Sequence, residues 1–227
     1  FNLVDYLTMR AIVEAAEAQR SPVILQTSSA TVKQLGIKPL AAMAHLVADG
    51  SPVPVALHLD HGTDREVIRQ AIHQGYTAVM IDGSKYPLEE NAARTRDVVE
   101  EAHAHGVAVE GEIGVVAGVE DDIVIRQDAA IYTTPEEALE FQTRSGVDFL
   151  AAAIGTAHGF YKVEPKLDID TLRKIAKDTL GDADRWKEIL EANKDKIKNP
   201  NVIQPGMELD IPTKPIEIPR VKPVSKD

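Results

Sequence analysis

The sequence contains no cysteine among its 227 residues. Disulfide bonds, thiolate metal sites and cysteine nucleophiles are therefore excluded, and any metal ion would have to bind histidine and carboxylate side chains. No apolar run reaches the roughly 20 residues that a membrane-spanning helix needs. Residues 1–5 carry no basic segment that leads into an apolar stretch. We therefore expect no membrane association, no signal peptide and a cytoplasmic location.

Basic residues are also few, with 25 Lys and Arg against 36 Asp and Glu, and the net charge of −11 argues against a nucleic-acid partner. The charge is unevenly distributed. Residues 1–165 hold 12 basic and 24 acidic residues, a net charge of −12, whereas residues 166–227 hold 13 and 12, a net charge of +1. A composition shift this sharp predicts two modules that meet near Pro165.

The first module alternates short apolar runs with segments of helical periodicity. The predicted strands are Pro22–Gln26, Val53–Leu59, Ala78–Asp82, Val107–Glu110 and Val147–Ala153. The predicted helices between them are Leu7–Gln19, Asp64–Gln74, Leu88–His105 and Pro135–Ser145. Strands that alternate with helices at this spacing are typical of βα units, so the sequence predicts an α/β domain with a parallel sheet.

Polar side chains follow the predicted strands, at the point where each strand ends. They are Ser28, Asp60, His61, Asp82, Glu112 and His158. Because the carboxyl ends of parallel strands meet on one face, we expect these groups to lie close together. Two histidines with several carboxylates form a nitrogen and oxygen ligand set that suits zinc or another divalent ion.

Five motifs follow one another along residues 1–175. They are His58-Leu-Asp60-His61-Gly62, Val79-Met-Ile-Asp82-Gly-Ser84, Val109-Glu-Gly-Glu112-Ile-Gly114, Glu120-Asp121-Asp122 and Gly155-Thr-Ala-His158-Gly159-Phe-Tyr161-Lys162. In this order and spacing they resemble the class II (zinc-dependent) fructose-bisphosphate aldolase family. The resemblance implies a (β/α)8 TIM-type barrel, here incomplete with strands 2 to 6 present. It implies a lyase that cleaves a ketose bisphosphate such as fructose 1,6-bisphosphate into dihydroxyacetone phosphate and an aldehyde phosphate, or forms it from them.

The resemblance also implies a metal centre. His61 and His158 match zinc ligands of the family, and Asp82 and Glu112 match the ligands of a second or alternative metal position. The cofactor expected from it is Zn²⁺ or another divalent metal. The family has a third zinc histidine and glycine-rich phosphate loops further along the chain, and this sequence has no histidine after His158.

Catalytic and substrate roles follow from the same resemblance. Asp60 matches the acid/base that handles the aldol hydroxyl, and Glu120 matches the carboxylate that takes the proton next to the ketone. A metal that polarises the ketone would let a carboxylate of ordinary basicity do this, so no Schiff-base lysine is required. The expected contacts to substrate or to a monovalent cation are made by Asn2, Ser28, Gly159 and Lys162. A homodimer is a further expectation.

The second module resembles a LysM domain, a small βααβ fold that recognises N-acetylglucosamine polymers such as peptidoglycan or chitin. Thr171–Pro212 reads as a short helix that ends at Gly181, a second helix that contains Trp186, a Pro-Asn turn, a Pro-Gly turn and a short strand. The predicted division is therefore an aldolase-like portion over residues 1–165, a LysM-like domain over 166–213 and an extended tail over 214–227.

Three hypotheses about function stay open at this point. The first is a metal-dependent aldolase, impaired to the extent that the third zinc ligand and the phosphate loops are required. The second is a carbohydrate-binding protein in which the LysM-like module carries the function beside an inert barrel portion. The third is a chain with neither activity.

Overall fold

The computed structural model describes residues 1–120, 123–125, 130–158 and 167–180, and for residues 117–120, 123–125, 157, 158 and 180 it gives the backbone alone. The strands are β1 (Val23–Thr27), β2 (Val55–Gly62), β3 (Ala78–Ile81), β4 (Ala108–Ile113), β5 (Ala117–Glu120), β6 (Ile123–Ile125), β7 (Phe149–Ala152) and β8 (Ala157–His158). The helices are α1 (Tyr6–Gln19), α2 (Ser29–Leu35), α3 (Ile37–Ala48), α4 (Arg65–His73), α5 (Leu88–Ala104), α6 (Pro135–Ser145) and α7 (Ile169–Leu180).

Five strands form a parallel sheet in the order β1-β2-β3-β4-β7. A second sheet of three strands has the order β6-β5-β8, with β5 antiparallel to β6 and parallel to β8. Asn2 forms a parallel bridge to Gln26 beside the end of β1. The predicted α/β class and parallel sheet are confirmed, and the five parallel strands form a curved, open part of a TIM-type barrel.

The hydrophobic core lies between the five-stranded sheet and the helices that cover one of its faces. Strand β1 illustrates the alternation, because Val23 and Leu25 are buried while Ile24 between them is 54% exposed. Helix α6 contributes the fully buried Phe141. One sheet face therefore packs against helices, and the opposite, concave face carries the polar side chains described below.

The predicted strands and four predicted helices are present, with ends that shift by a few residues. Helices α2 and α3, which Gly36 separates, were not predicted. Apolar residues occupy most positions of α3, so its sequence lacks the polar stripe that distinguishes a surface helix. Strands β5 and β6, which are not among the predicted strands, pair in antiparallel orientation. Branched side chains at Val119, Ile123 and Ile125 favour strands there.

Helix α7 packs against α6. Ile175 is 5% exposed within the hydrophobic core, and the Gln142 side-chain amide donates to the Thr179 carbonyl at 3.3 Å. The Asp168 backbone amide donates to the Ile154 carbonyl at 2.8 Å, which ties the start of the helix to the end of β7. The helix predicted after Asp170 is therefore present, and it lies on the barrel portion. None of the described helices is long and apolar enough to cross a bilayer.

Candidate metal centre

Three neighbouring strands place ligand groups at one point on the carboxyl-terminal side of the sheet. His61 lies in β2, Asp82 follows β3 and Glu112 lies in β4. His61 Nδ1 is 3.2 Å from Asp82 Oδ2 and 3.4 Å from Glu112 Oε2. The side chains are 17%, 11% and 6% exposed, respectively. The predicted convergence of strand-end groups is thus observed for these three residues, which we call the ligand cluster.

A bulge in β2 gives His61 its position. The pairing of β2 with β3 changes register between Leu59 and Gly62, and His61 has a φ of 45° in the left-handed region. In a regular strand Asp60 and His61 would point to opposite faces, but here Asp60 Oδ1 lies 4.0 Å from His61 Nε2. The extra residue of the bulge therefore brings both side chains to the site, at the cost of an unfavourable backbone conformation for a non-glycine residue.

The donor set fits a divalent metal. Two atoms that each lie about 2.0–2.1 Å from a tetrahedral zinc ion are about 3.3 Å apart, close to the separations of His61 Nδ1 from its two carboxylate neighbours. One atom from each of the three residues can be chosen so that all lie within 4.8 Å of one another. An imidazole with two carboxylates is a ligand set suited to zinc and to other first-row divalent ions.

Hydrogen bonds orient Asp82 toward His61. Asp82 Oδ1 accepts from the Ser84 hydroxyl at 2.7 Å and from the Ser84 backbone amide at 3.0 Å, which leaves Oδ2 directed at His61. Burial of Asp82 would raise its pKa, but the hydrogen bonds from His61 and Ser84 outweigh burial and hold the pKa below its ordinary value. The carboxylate is therefore ionised at neutral pH, as a metal ligand must be.

The remaining polar groups on the concave face lie beside the ligand cluster. Asp60 is buried, at 6% exposed. His58 Nε2, two residues earlier on β2, lies 3.3 Å from Glu110 Oε2 on β4. The intervening strand β3 pairs Ala78 with His58 and Met80 with Glu110, so this contact spans β3. This position makes His58 a neighbour of Glu110 and not a member of the ligand cluster.

One buried polar residue beside the site was not predicted from the sequence. Asn91 in α5 is 2% exposed, and its Nδ2 donates to the backbone carbonyl of Glu112 at 2.8 Å. The available signal was its position on the buried side of the helix, three residues after Leu88 and four before Thr95. An amide at such a position needs an internal partner, and the strand end supplies it.

The other predicted site residues fall into three pairs. Ser28 and Asn2 lie at the end of β1: the Ser28 hydroxyl caps α2 by accepting from the Thr31 amide at 3.4 Å, and Asn2 is exposed. Glu120 and His158 lie in β5 and β8, for which the backbone alone is described, and the β5–β8 pairing aligns Gly118 with His158. Gly159 and Lys162 lie outside the described residues. The structure therefore brings together His61, Asp82 and Glu112 with Asp60 beside them, and the roles of the other residues stay predictions.

Two protein families match the sequence. Residues 1–189 match fructose-bisphosphate aldolase class-II, and residues 169–212 match the LysM domain. The two matches overlap over residues 169–189, a stretch that includes all of α7. The LysM match lies largely beyond the described residues, so the predicted βααβ arrangement stays a prediction.

Individual relatives of this chain are also named as aldolases, in agreement with the match over residues 1–189. The chain is 46% identical over 178 residues to a fructose-bisphosphate aldolase of Geobacillus stearothermophilus, with 77% of this chain and 61% of the relative covered. It is 44% identical over 177 residues to a sulfofructosephosphate aldolase of Alkalicoccus urumqiensis, covering 78% and 62%. The crystal structure of the YdjI aldolase from Escherichia coli K12 superposes with a TM-score of 0.68 at 32% identity, covering 78% and 62%.

The chain spans about three-fifths of the length of these relatives. Within that span it has the parallel sheet and, at the carboxyl ends of the strands, a cluster of side chains that could hold a metal ion. The match over residues 1–189 covers most of the 227 residues. This chain therefore belongs to the class II fructose-bisphosphate aldolase family.

Proposed function

We propose that this chain is a divalent-metal-dependent lyase that cleaves or forms a ketose bisphosphate by aldol chemistry. The observation that carries the proposal is the ligand cluster of His61, Asp82 and Glu112, with Asp60 4.0 Å from His61, in a chain of this family. These three residues would hold the metal, and His158 is the proposed fourth ligand. When bound, a divalent metal supplies Lewis-acid polarisation of a substrate oxygen.

The chain's own residues would move the protons. In the cleavage direction Asp60 takes the proton of the hydroxyl on the carbon that becomes the aldehyde, and the adjacent carbon–carbon bond breaks. The bonding electrons go to the ketone half, whose carbon then receives a proton from Glu120. Asp60 suits its role because it is buried beside His61, where it is shielded from bulk water.

We propose a phosphorylated ketose as the substrate class and Zn²⁺ as the preferred metal. The relatives support the class but differ within it, because one is named for fructose bisphosphate and another for sulfofructosephosphate. Asn2, Ser28, Gly159 and Lys162 are the proposed contacts to substrate and to a monovalent cation. A homodimer and a cytoplasmic location stay predictions.

The decisive experiment measures cleavage of fructose 1,6-bisphosphate by the full chain with added Zn²⁺, with and without EDTA. His61→Ala should abolish cleavage, because it removes the residue that contacts both carboxylates of the ligand cluster. His103→Ala is the matched control, since His103 is an exposed histidine that pairs with Asp148 at 2.9 Å. The proposal fails if the wild-type chain shows no EDTA-sensitive cleavage of fructose 1,6-bisphosphate, and cleavage of a sulfofructose phosphate alone would keep the aldol chemistry but overturn the bisphosphate as its substrate.

A second function is proposed because residues 169–212 match LysM. This segment would bind N-acetylglucosamine polymers in peptidoglycan or chitin. We keep the predicted division into residues 1–165, 166–213 and 214–227 as a proposal, with the added observation that α7 at the start of the LysM match packs on α6.

Retention on insoluble chitin and peptidoglycan tests the second function. The full chain should be retained and should be released by soluble chitooligosaccharides. His61→Ala should be retained as well as the wild type, because the substitution lies outside residues 169–212. Lack of retention on both polymers would count against carbohydrate binding.

A further inference from the structure

We propose that Asn91 is a positioning residue that sets the separation between the metal-ligating ends of β3 and β4. This inference rests on the proposed metal site and adds a residue that touches none of its ligand atoms. Asn91 belongs to α5, yet it is buried to 2% exposure at the two strand ends that carry Asp82 and Glu112. Its side chain contacts the backbone of Gly83, which follows Asp82, and the backbone of Glu112.

The first contact is with β4. The Asn91 Nδ2 donates to the backbone carbonyl of Glu112 at 2.8 Å. The orientation of the amide is set by a second hydrogen bond, in which the Thr95 hydroxyl donates to Asn91 Oδ1 at 3.3 Å. With Oδ1 occupied by Thr95 one helical turn along α5, the donating end of the amide is directed at Glu112.

The second contact is with the loop after β3. Gly83 directly follows Asp82, and a Cβ atom placed on Gly83 would overlap with Oδ1 and Cγ of Asn91. The amide group therefore packs directly against the Gly83 backbone, an approach that only glycine permits. The Asn91 side chain therefore lies between the two strand ends and contacts both, with Asp82 on one side and Glu112 on the other.

This placement matters because a metal site tolerates little displacement of its ligands. A productive ligand geometry must be held within about 0.5 Å, and residues that support ligands typically change metal affinity 10–100-fold when they are mutated. His61 Nδ1 lies 3.2 Å from Asp82 Oδ2 and 3.4 Å from Glu112 Oε2. Loss of the amide frees the end of β4 to move relative to the β3 loop and so changes these separations.

The test compares Co²⁺ binding by the full-length wild type and by Asn91→Ala. Affinity is measured by competition with a chromophoric chelator, and the visible absorption of bound Co²⁺ reports the coordination geometry. Asn91→Ala should bind Co²⁺ about 10–100-fold more weakly and with a changed visible spectrum. Gly83→Ala tests the same contact from the loop side, and it should also weaken binding and alter the spectrum.

Ser145→Ala is the matched control for loss of a buried polar group. Ser145 is 1% exposed and donates to the Phe141 carbonyl at 2.7 Å, on a helix that carries none of the ligand cluster. This variant should melt at a lower temperature but bind Co²⁺ with the wild-type affinity and spectrum. If Ser145→Ala weakens binding as much as Asn91→Ala does, the effect is general destabilisation and the positioning role is wrong.

Two other outcomes separate this inference from the proposed function. If Asn91→Ala and Gly83→Ala keep the wild-type affinity and spectrum, Asn91 does not position the ligands and the metal site stands. If the wild type binds no Co²⁺, the metal site is wrong and the role of Asn91 falls with it. Should Asn91→Ala fail to fold, the Gly83→Ala result alone decides between the first outcome and the expected one.

Discussion

The contact between Gly111 in β4 and Phe141 in α6 should not tolerate a single added methyl group. Gly111 lies in β4 between Glu110 and Glu112, and a Cβ atom there would lie 2.7 Å from Phe141 Cε1, 2.9 Å from Cζ and 3.1 Å from Val147 Cγ1. Ordinary contacts begin at 3.4 Å, so the ring edge must retreat by about 0.7 Å. Phe141 is fully buried and cannot swing into solvent.

Gly111→Ala should therefore lower the free energy of unfolding by about 1–3 kcal/mol, the usual cost of overpacking a core. For a chain of this size each kcal/mol corresponds to about 2–4 °C in melting temperature. Urea denaturation followed by circular dichroism measures the change. The midpoint should fall while the slope with urea stays the same, because the compactness of the two states is unchanged.

A double-mutant cycle identifies the ring as the cause. Phe141→Leu shortens the side chain and should cost about 1 kcal/mol by itself. In the presence of Phe141→Leu, Gly111→Ala should cost less than it does alone, with a coupling free energy of about 0.5–3 kcal/mol. The reasoning is refuted if Gly111→Ala is neutral, or if the two costs add within about 0.5 kcal/mol.

Three further outcomes are expected. Zn²⁺ at about 100 times its dissociation constant should raise the free energy of unfolding by about 2.7 kcal/mol, EDTA should reverse this, and His61→Ala should show no such rise in thermal melts. Thr134→Ala should lower stability by about 1 kcal/mol in urea denaturation, because the Thr134 hydroxyl and Glu137 form a capping box at the start of α6, whereas a change below about 0.3 kcal/mol would contradict this. Burial raises the pKa of Tyr76 more than its hydrogen bond to Thr27 lowers it, so the folded state favours the neutral phenol. The stability from Tyr76 should therefore be complete below about pH 10 and fall as the pH rises further, and Tyr76→Phe should remove that part of the alkaline pH dependence in unfolding measurements.

Much of the fold could be predicted because strand and helix periods are distinct in this sequence. The run Leu88–His105 and the run Pro135–Ser145 alternate polar and apolar residues with a helical period, and both form helices of nearly those bounds. Helix α3 was missed for the opposite reason, since apolar residues on several of its sides hide the period. The parallel orientation of the strands could be predicted because strands alternate with helices along the chain.

The composition of the site could be predicted, but its geometry could not. Strand-end positions identified His61, Asp82 and Glu112, because the topology brings the carboxyl ends of parallel strands together. No local pattern marks the bulge that brings Asp60 and His61 to the same side, since it depends on how β2 pairs with β3. Asn91 was missed because its partner, the Glu112 carbonyl, is 21 residues away and belongs to the backbone.

The five-stranded sheet ends at β7, which pairs with β4 and with no other strand among the described residues. Phe149 in β7 is 58% exposed, whereas at the other side of the sheet residues 1–3 bond the outer edge of β1 at Ile24 and Gln26. The β1 edge and the β7 edge are different surfaces. A contact that joins the β7 edge of one copy to the β1 edge of another is therefore head-to-tail. Such contacts extend into open chains unless their rotation happens to close a ring. Where copies associate through the exposed part of β7, turbidity should grow with protein concentration, and a charge introduced at Phe149 should suppress it.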